Sequence, residues 1–304
     1  SISAVCSGDV RVKWGESELS CAELRIEGAE VAAADESDGS DLRAASVEGG
    51  GGVVFKRKEL LARCDRFAFD DATGVLDLLS AAEEEIEITF GESATMWTSR
   101  VTIDEKQEKV VCASPRIVLM VKDSFIGFKE VGSRDSGRPK TRVDLVAGNE
   151  LVLVQTSPDS LRMDLDGGVT ATRWDSRTPL EDKMECETLE LHAIMEPDTR
   201  TDRAAIGLRE AKIIDARARG SVYLRYWGPD ATLEGRGESF VWDGREEVGR
   251  LSGSPERLAV VWLEGQQGSD VQNASEFIYN FRDEQIEIIG GGRGSSTFDR
   301  SSGD

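Results

Sequence analysis

The feature that most constrains this chain is a short pattern that recurs along it. Each copy reads small-x-x-Φ-x-Φ, where Φ is a large apolar residue, and most copies then continue with an acidic residue or Asn. The copies begin at Cys21, Cys64, Thr98, Cys186, Gly237 and Ala274. One of them departs at its last position, which is His192. Recurring units are typical of arrays in which each unit packs on its neighbours, so the pattern predicts a stack of similar units.

A second pattern, Gly-x-Val-x-Φ, precedes some of these copies. It begins at Gly8, Gly51 and Gly220, and Gly167 starts a related Gly-x-Val segment. The residues around the first and last of these positions alternate between apolar or small and polar, which is the period of a β-strand. Glycine inside a strand usually marks a bulge, a sharp bend or a close backbone approach. The pattern therefore predicts long strands that bend at their glycines.

The small residue of the first pattern has the opposite parity to its two Φ residues. A straight strand cannot place all three on one face, because successive side chains alternate between faces. A bulge directly after the small residue resolves the conflict and leaves its side chain inside a tight corner. This interpretation explains why Cys, Gly, Ala and Thr interchange at that position. It also predicts that Cys21, Cys64 and Cys186 are buried for their size rather than kept for their reactivity.

Short alternating segments separated by Gly, Asp, Asn and Ser turns predict an all-β fold of stacked, bent antiparallel hairpins. A helix is an alternative over Lys56–Phe67 and over Arg203–Ala211, although the spacing there is imperfect. Composition divides the chain into one β unit over 1–121 and a second over 150–290. Within the first unit, the segment 32–52, rich in Asp, Ser, Ala and Gly, is expected to break the chain. Between the two units we expect a charged linker or insertion over 122–149, and after the second unit a disordered tail over 291–304.

Composition excludes several classes of function. A net charge of −21 and a pI of about 4.6 argue against nucleic-acid binding, which needs a basic surface. The acidity instead indicates a solubilising surface or a face for a basic partner. No apolar run is long enough for a membrane-spanning helix. The five cysteines are an odd number and contain no CxxC, which excludes a fully paired disulfide framework within this chain.

The sequence indicates neither catalysis nor a cofactor. His192 is the only histidine, so no Ser/His/Asp or Cys/His set and no zinc site can be assembled from the pattern. A carbohydrate-active β-sandwich enzyme would need two carboxylates about 5–10 Å apart in a cleft, and no motif points to such a pair. We therefore predict a protein without enzymatic activity, cofactor or metal.

The Φ residues are the candidate binding site. If they line the space between two layers of strands, they form a lipid groove. This predicted groove comprises Leu24, Ile26, Phe67, Phe69, Val101, Ile103, Leu189, Leu191, Phe240, Trp242, Phe277 and Tyr279. Burial of an acyl chain in it would contribute about 0.8 kcal/mol per CH₂ group. The alternative is that the same residues fill a closed sandwich core and bind nothing.

Several segments resemble the OstA-like family of lipopolysaccharide-transport proteins, the family of LptA and LptC. The family's repeat runs Ala-x-Gly-x-Val, then a small residue before an aromatic-Asp pair, then a turn and a Φ-x-Φ-x-Gly return. The chain matches this order at 218–222, 240–243 and 251–253, and the later part of the repeat at 274–290. The segment CDRFAFDDATGVLDLLSA, which begins at Cys64, is similar as well. The resemblance as a whole, through the ordered recurrence of such segments, covers about three quarters of the chain.

The resemblance implies a fold, a function and a location. The fold would be a V-shaped stack of antiparallel strands, known as a β-jellyroll or β-taco, with an apolar groove inside. The function would be binding and transport, or bridging, of a lipopolysaccharide-like lipid in the periplasm or elsewhere outside the cytoplasm. Its partners would be lipid acyl chains. Because the sequence begins at Ser1 within a strand pattern, we expect any signal or anchor to lie upstream.

The ends of such a stack suggest a further type of partner. The first and last strands of an open sheet leave unpaired backbone groups, which are templates for another strand. Edge-strand pairing with another β-jellyroll envelope protein, or with a second copy, would build a bridge or filament. The alternative function is therefore a non-enzymatic structural or assembly scaffold that associates edge to edge.

Overall fold

A computed structural model describes residues 2–14, 17–31, 41–57, 60–81, 84–90, 94–121, 141–157, 159–174, 181–194, 212–227, 231–265, 268–283, 285–290 and 297–298. These residues form one 22-stranded sheet in which every pairing is antiparallel, and no helix occurs among them. The predicted all-β fold class, of a β-jellyroll-like type, is confirmed.

The strands fall into long ones that bend and short ones that do not. The first half comprises β1 (Ile2–Trp14), β2 (Ser17–Val31), β3 (Asp41–Arg57), β4 (Leu60–Asp70), β5 (Val75–Leu79), β6 (Ile86–Phe90), β7 (Ala94–Thr98), β8 (Arg100–Asp104), β9 (Lys109–Ala113), β10 (Arg116–Val121) and β11 (Thr141–Ala147). The second half comprises β12 (Glu150–Ser157), β13 (Ser160–Trp174), β14 (Glu181–Ile194), β15 (Lys212–Trp227), β16 (Ala231–Asp243), β17 (Val248–Ser252), β18 (Ala259–Gly265), β19 (Gly268–Ala274), β20 (Glu276–Asn280), β21 (Gln285–Ile289) and β22 (Thr297–Phe298).

Strand pairing divides the sheet into two walls joined along a line of corners. The motif wall carries every Φ-x-Φ segment. It runs β1 (2–7), β2 (23–28), β3 (46–50), β4 (66–70), β5, β8, β9, β12, β13 (160–166), β14 (188–194), β15 (212–219), β16 (239–243), β17, β20, β21 and β22. The facing wall runs β1 (10–14), β2 (17–21), β3 (53–57), β4 (60–64), β6, β7, β10, β11, β13 (169–174), β14 (181–186), β15 (222–227), β16 (231–237), β18 and β19. The apolar side chains of the two walls belong to one core cluster.

Every corner lies where the parity conflict predicts it. In β2 and β14, the strand register shifts directly after the small residues Cys21 and Cys186. After Thr98, a single residue separates β7 on the facing wall from β8 on the motif wall. The prediction of a bend directly after the small residue is confirmed. The adjoining strands turn at glycines with positive φ, among them Gly220 at +76°, a conformation that other residues seldom adopt.

The motif wall is held in register by two apolar ladders that cross its strands from β1 to β21. One ladder joins Cys6, Leu24, Gly49, Phe67, Leu78, Val101, Cys112, Leu151, Leu165, Leu189, Ala218, Phe240, Leu251, Phe277 and Ile288. The other joins Ala4, Ile26, Val47, Phe69, Leu76, Ile103, Val110, Leu153, Met163, Leu191, Ala216, Trp242, Gly249, Tyr279 and Ile286. Since a one-residue slip would move a strand's whole apolar set to the other face, these ladders fix the register.

The last position of the recurring pattern closes the tight turns of the motif wall. Asp70 Oδ1 accepts a hydrogen bond from the backbone N–H of Thr73 at 3.0 Å. Asp104, Asp243 and Asn280 accept equivalent bonds from the backbone N–H groups two and three residues further on. An Asx side chain stabilises a turn in this way. The two copies that end in other residues, Glu27 and His192, lie where the strand continues instead of turning.

These turn contacts give a first prediction. We expect Asp104→Ala to lower the free energy of unfolding by about 1 kcal/mol, because the Lys106 and Gln107 N–H groups lose their acceptor. Asp104→Asn should cost much less, because Asn280 closes the corresponding turn elsewhere in the wall. Urea denaturation followed by circular dichroism measures both. Equal losses in the two variants would contradict this role for the carboxylate.

Three segments differ from the sequence-based expectation. Residues 141–147, assigned to the charged linker, form β11, which pairs with β10 and β13. Residues 41–52, expected to break the chain, belong to β3. The two residues of β22 lie within the tail that was predicted to be disordered. The segment 56–67, for which a helix was an alternative, lies in β3 and β4 where it is described, whereas 203–211 and 122–140 lie outside the described residues.

The sheet continues from the first predicted unit into the second. β9 pairs with β12 along the motif wall, and β10 pairs with β11 along the facing wall. In both walls, therefore, a strand of the first predicted unit is hydrogen-bonded to a strand that follows residue 140. The division of the chain into two units stays a prediction.

Candidate lipid-binding groove

The structure brings all of the predicted groove residues onto the inner side of one wall. Leu24, Phe67, Val101, Leu189, Leu191, Phe240, Trp242 and Phe277 are buried, and Ile26, Phe69, Ile103 and Tyr279 are partly buried. Their common spacing places each Φ-x-Φ pair at the same height on the motif wall. The pairs are separated by other apolar strands, so the surface they form is continuous.

Over the middle of the stack, the space between the walls is filled by side chains. Leu78, Cys112 and Leu191 on the motif wall are fully buried, as are Leu145 and Met184 on the facing wall. Side chains packed to this degree leave no room for a ligand without displacement. Here the residues act as a core, as the closed-sandwich alternative predicts.

At the C-terminal end of the stack the walls leave a slot between them. Its lining is made of apolar and aromatic residues only, and they come from both walls. The lining residues are Leu224, Tyr226, Leu233, Phe240, Gly249, Leu251, Val261, Phe277, Tyr279, Phe281 and Ile286. The cavity measures about 50 Å³ and is partly open to solvent. Of the predicted groove residues, the slot gathers Phe240, Phe277 and Tyr279.

A glycine in the second ladder shapes this slot. Gly249 lies between Trp242 and Tyr279 across the strands. A Cβ atom built on Gly249 would come within 2.9 Å of the ring of Phe240 and 3.0 Å of the ring of Phe281. Because Gly249 has no side chain, the rings of Phe240 and Phe281 can lie directly over its backbone. The ring of Phe281 also packs edge-on against Tyr279, with centroids 4.4 Å apart, an arrangement that aromatic pairs favour.

A buried ion pair lies on the facing wall, beside the slot. Arg173 Nη2 is 2.5 Å from Asp182 Oδ2, and both side chains are more than 90% buried. The backbone N–H of Trp227 donates to Asp182 Oδ1 at 2.8 Å. Asp182 lies in β14, next to the strand that carries the slot residue Tyr226. The pair thus lies on the strands that adjoin the slot residue Tyr226, outside the lining of the slot.

The sequence-based reasoning missed this ion pair, although a signal for it existed. Every second side chain of β13 faces the core, so Arg173 shares the inward face with Val169 and Ala171. On the neighbouring strand β14, Asp182 shares the inward face with Met184 and Cys186, and it is opposite Arg173. Opposite charges at inward positions of two neighbouring strands predict a buried pair. Phe281 was also missed, because it follows Asn280 in the turn and belongs to no Φ-x-Φ segment.

The cysteines behave as small core residues. Cys21, Cys64, Cys112 and Cys186 are buried and unpaired, whereas Cys6 is exposed. Burial raises the pKa of Cys64, Cys112 and Cys186 to about 12. Thiols of this kind are poor nucleophiles, since the thiolate is the reactive form. The prediction that the three corner cysteines are buried is confirmed.

These raised pKa values predict an alkaline loss of stability. A buried thiol is neutral in the folded state but ionises near pH 8.5 when the chain unfolds, so its contribution is present below that pH and is lost between about 8.5 and 12. Between pH 9 and 10.5, the free energy of unfolding should fall less steeply for Cys112→Ala than for the parent protein. The two slopes should differ by about 1.4 kcal/mol per pH unit. Cys6→Ala is the matched control at an exposed thiol. Identical slopes for Cys112→Ala and the parent protein would contradict the prediction.

The single histidine lies among carboxylates on the outer side of the motif wall. His192 Nε2 is 2.8 Å from Glu190 Oε1, and Nδ1 is 3.5 Å from Asp215 Oδ1. No group of three or more His, Cys, Asp or Glu side chains in the described ranges is arranged to hold a metal ion. Within the same ranges, no helix has the length and apolar character to cross a membrane.

The sequence was compared with profiles of known protein families and with curated proteins. No family profile matches it, and no curated protein is significantly similar to it. The groove is therefore interpreted from its own residues.

Proposed function

We propose that this protein is a non-enzymatic lipid-binding module that works outside the cytoplasm and carries or bridges lipids by seating an acyl chain in the C-terminal slot. The observation that carries this proposal is the lining of the slot. It combines Phe240, Phe277 and Tyr279 of the motif wall with apolar residues of the facing wall and includes no charged side chain. An unbranched hydrocarbon chain is the ligand that needs no polar partner in such a site.

The size of the slot limits how a chain binds. With the lining side chains in their present positions, a cavity of about 50 Å³ accepts only the end of an acyl chain. The partly buried rings of Tyr279 and Phe281 lie at its rim, and they must swing outward for more methylenes to enter. Each methylene buried adds about 0.8 kcal/mol, so six of them contribute about 5 kcal/mol before the cost of ordering the chain.

The family resemblance supports the same proposal. The stacked antiparallel walls and the apolar ladders have the form that the OstA-like family would lead one to expect. A lipopolysaccharide-like lipid and a periplasmic location follow as parts of the proposal. Abutting slots in neighbouring molecules would then allow chains to pass from one to the next.

Lipid binding can be tested on the full chain. Native mass spectrometry of the purified protein, followed by organic extraction, should reveal a lipid bound in a 1:1 ratio. The delipidated protein should bind a dansyl-labelled undecanoic acid saturably, and lauric acid should displace it. Failure of the probe to saturate, together with no extractable lipid, would contradict the proposal.

A second candidate function is an edge-to-edge assembly scaffold. The filled middle of the stack favours it, as do the strands at the two ends. Among the described residues, β1 pairs with β2 alone and β19 with β18 alone, so each has a free edge there. Sedimentation velocity over a hundredfold range of concentration would detect such association. A protein that assembles but never takes up the acyl probe would support the scaffold and exclude the carrier.

A further inference from the structure

A second cleft lies on the outer side of the facing wall, behind the slot. Its volume is about 470 Å³, within the usual range of small-ligand sites. Tyr223 on β15 is directly opposite Arg236 on β16, Trp262 on β18 lies diagonally across from Arg236, and the loop that carries Arg257 forms part of the lining. Tyr223 and Trp262 alternate along their strands with the slot residues Leu224 and Val261, so the cleft and the slot occupy opposite faces of the same strands.

An arginine is held between two aromatic rings in this cleft. The guanidinium carbon of Arg236 is 5.6 Å from the ring centroid of Tyr223 and 5.4 Å from that of Trp262. At such distances the two rings attract the guanidinium, although the Arg236 residue as a whole is exposed. Burial raises the pKa of Tyr223, with the charge of Glu234 as the next cause. The Tyr223 hydroxyl is therefore protonated at neutral pH, and it is hydrogen-bonded to the Glu234 carboxylate.

The two arginines of the cleft, Arg236 and Arg257, have surroundings that are unusual for this protein. The chain has 58 acidic and 37 basic residues, so carboxylates are abundant around most cations. Yet no carboxylate of the described residues forms an ion pair with Arg236 or Arg257. Of the two acidic residues in the lining, Glu185 is already paired with Lys183, 2.5 Å away. Within the described part of the chain, the two guanidinium groups therefore have no carboxylate partner.

The cleft also offers acceptors beside these donors. Glu185 and Glu238 lie in the lining with the arginines and the Tyr223 hydroxyl. A sugar hydroxyl both donates and accepts, so it needs such a mixed set, whereas a phosphate needs donors only and is repelled by carboxylates. A guanidinium binds a carboxylate with two parallel hydrogen bonds. Flat aromatic and aliphatic surfaces, here Trp262 and Leu258, suit the apolar face of a pyranose ring.

From this arrangement we propose that the outer cleft binds an acidic saccharide, a pyranose that carries a carboxylate. The carboxylate lies against Arg236 and Arg257, and the ring hydroxyls lie against Glu185 and Glu238. The site is separate from the acyl slot, because the strands β15, β16 and β18 lie between them. It gives the protein a second ligand, of polysaccharide character, on the side away from the walls' interior.

The proposal is tested by calorimetric titration of the full chain with three probes. Trigalacturonate should bind saturably, maltotriose should bind at least tenfold more weakly because it lacks the carboxylates, and inorganic phosphate should not compete. Arg236→Gln and Arg257→Gln should each weaken trigalacturonate binding about tenfold or more. Arg250→Gln removes the same charge from an exposed position on the motif wall and should leave binding unchanged.

Several outcomes would overturn the proposal. Equal binding of maltotriose would show that the guanidinium groups are not used, and effective competition by phosphate would show a general anion site. Equal losses in Arg236→Gln and Arg250→Gln would show an effect of net charge alone. Uptake of the acyl probe by the same variants reports on the slot, so failure of the saccharide site is distinguishable from failure of lipid binding.

Discussion

Val110→Asp should lower the free energy of unfolding by about 3–5 kcal/mol, whereas Val111→Asp should cost only about 1 kcal/mol. The two valines are neighbours on β9 but face opposite ways. Val110 is buried between Ile103 and Leu153 in the second apolar ladder, and Val111 is half-buried on the outer face. A carboxylate at Val110 would be enclosed without a partner, while one at Val111 would reach water.

Urea denaturation of both variants, followed by circular dichroism, measures the difference. A loss of 3–5 kcal/mol is a large part of the stability of most proteins, so the Val110 variant is expected to be partly unfolded at 37 °C. Each variant is the control for the other, since both replace a valine of the same strand with aspartate and add the same charge. Equal losses, or a larger loss at Val111, would mean that the register of β9 is shifted by one residue, because such a slip exchanges the two faces.

Phe277→Asp should weaken binding of the acyl probe at least a hundredfold, which corresponds to about 2.7 kcal/mol. Phe277 is buried in the slot, and the new carboxylate would lie where the hydrocarbon is proposed to bind. Ile278→Asp is the matched control, since this residue is the next on β20 and faces outward. Phe240→Asp and Val241→Asp are a second such pair on β16. Phe240→Asp should weaken binding, whereas Val241→Asp is its control, because Val241 is 40% exposed.

Folding must be checked before binding is interpreted. Both inward variants place a charge in the core, so circular dichroism and the unfolding midpoint should be measured first. Tyr279→Asp is a milder change, because that ring is only partly buried at the rim of the slot. Unchanged uptake of the probe by all three folded inward variants would count against the slot as the lipid site.

Local geometry was predictable because it follows from side-chain parity. The conflict between Cys186 and the pair Leu189 and Leu191 could be relieved only by an extra residue, and Glu187 is that residue. The same reasoning locates the bends in the other copies. It needs no knowledge of which strands are neighbours, so it succeeds from sequence alone.

The filling of the groove was not predictable, because it depends on residues from the other wall. Leu145 and Met96 close the middle of the stack, yet neither belongs to a recurring motif. β11 itself was concealed by its charged residues Arg142 and Asp144, which form an ion pair on the surface. The size of a cavity is set by how two surfaces fit together, and a pattern read along one strand contains only half of that information.

The ladder arrangement has a consequence for how the molecule opens. Each strand is hydrogen-bonded only to the strands beside it, so stability is close to a sum of neighbour terms, and local unfolding begins at the two ends of the stack. The slot lies next to one end of the stack, where the last described strand is β19 on the facing wall and β22 on the motif wall. Hydrogen exchange should therefore be fastest at the termini and slowest near β12. A ligand that needs the walls to part would thus enter where parting them requires the least free energy.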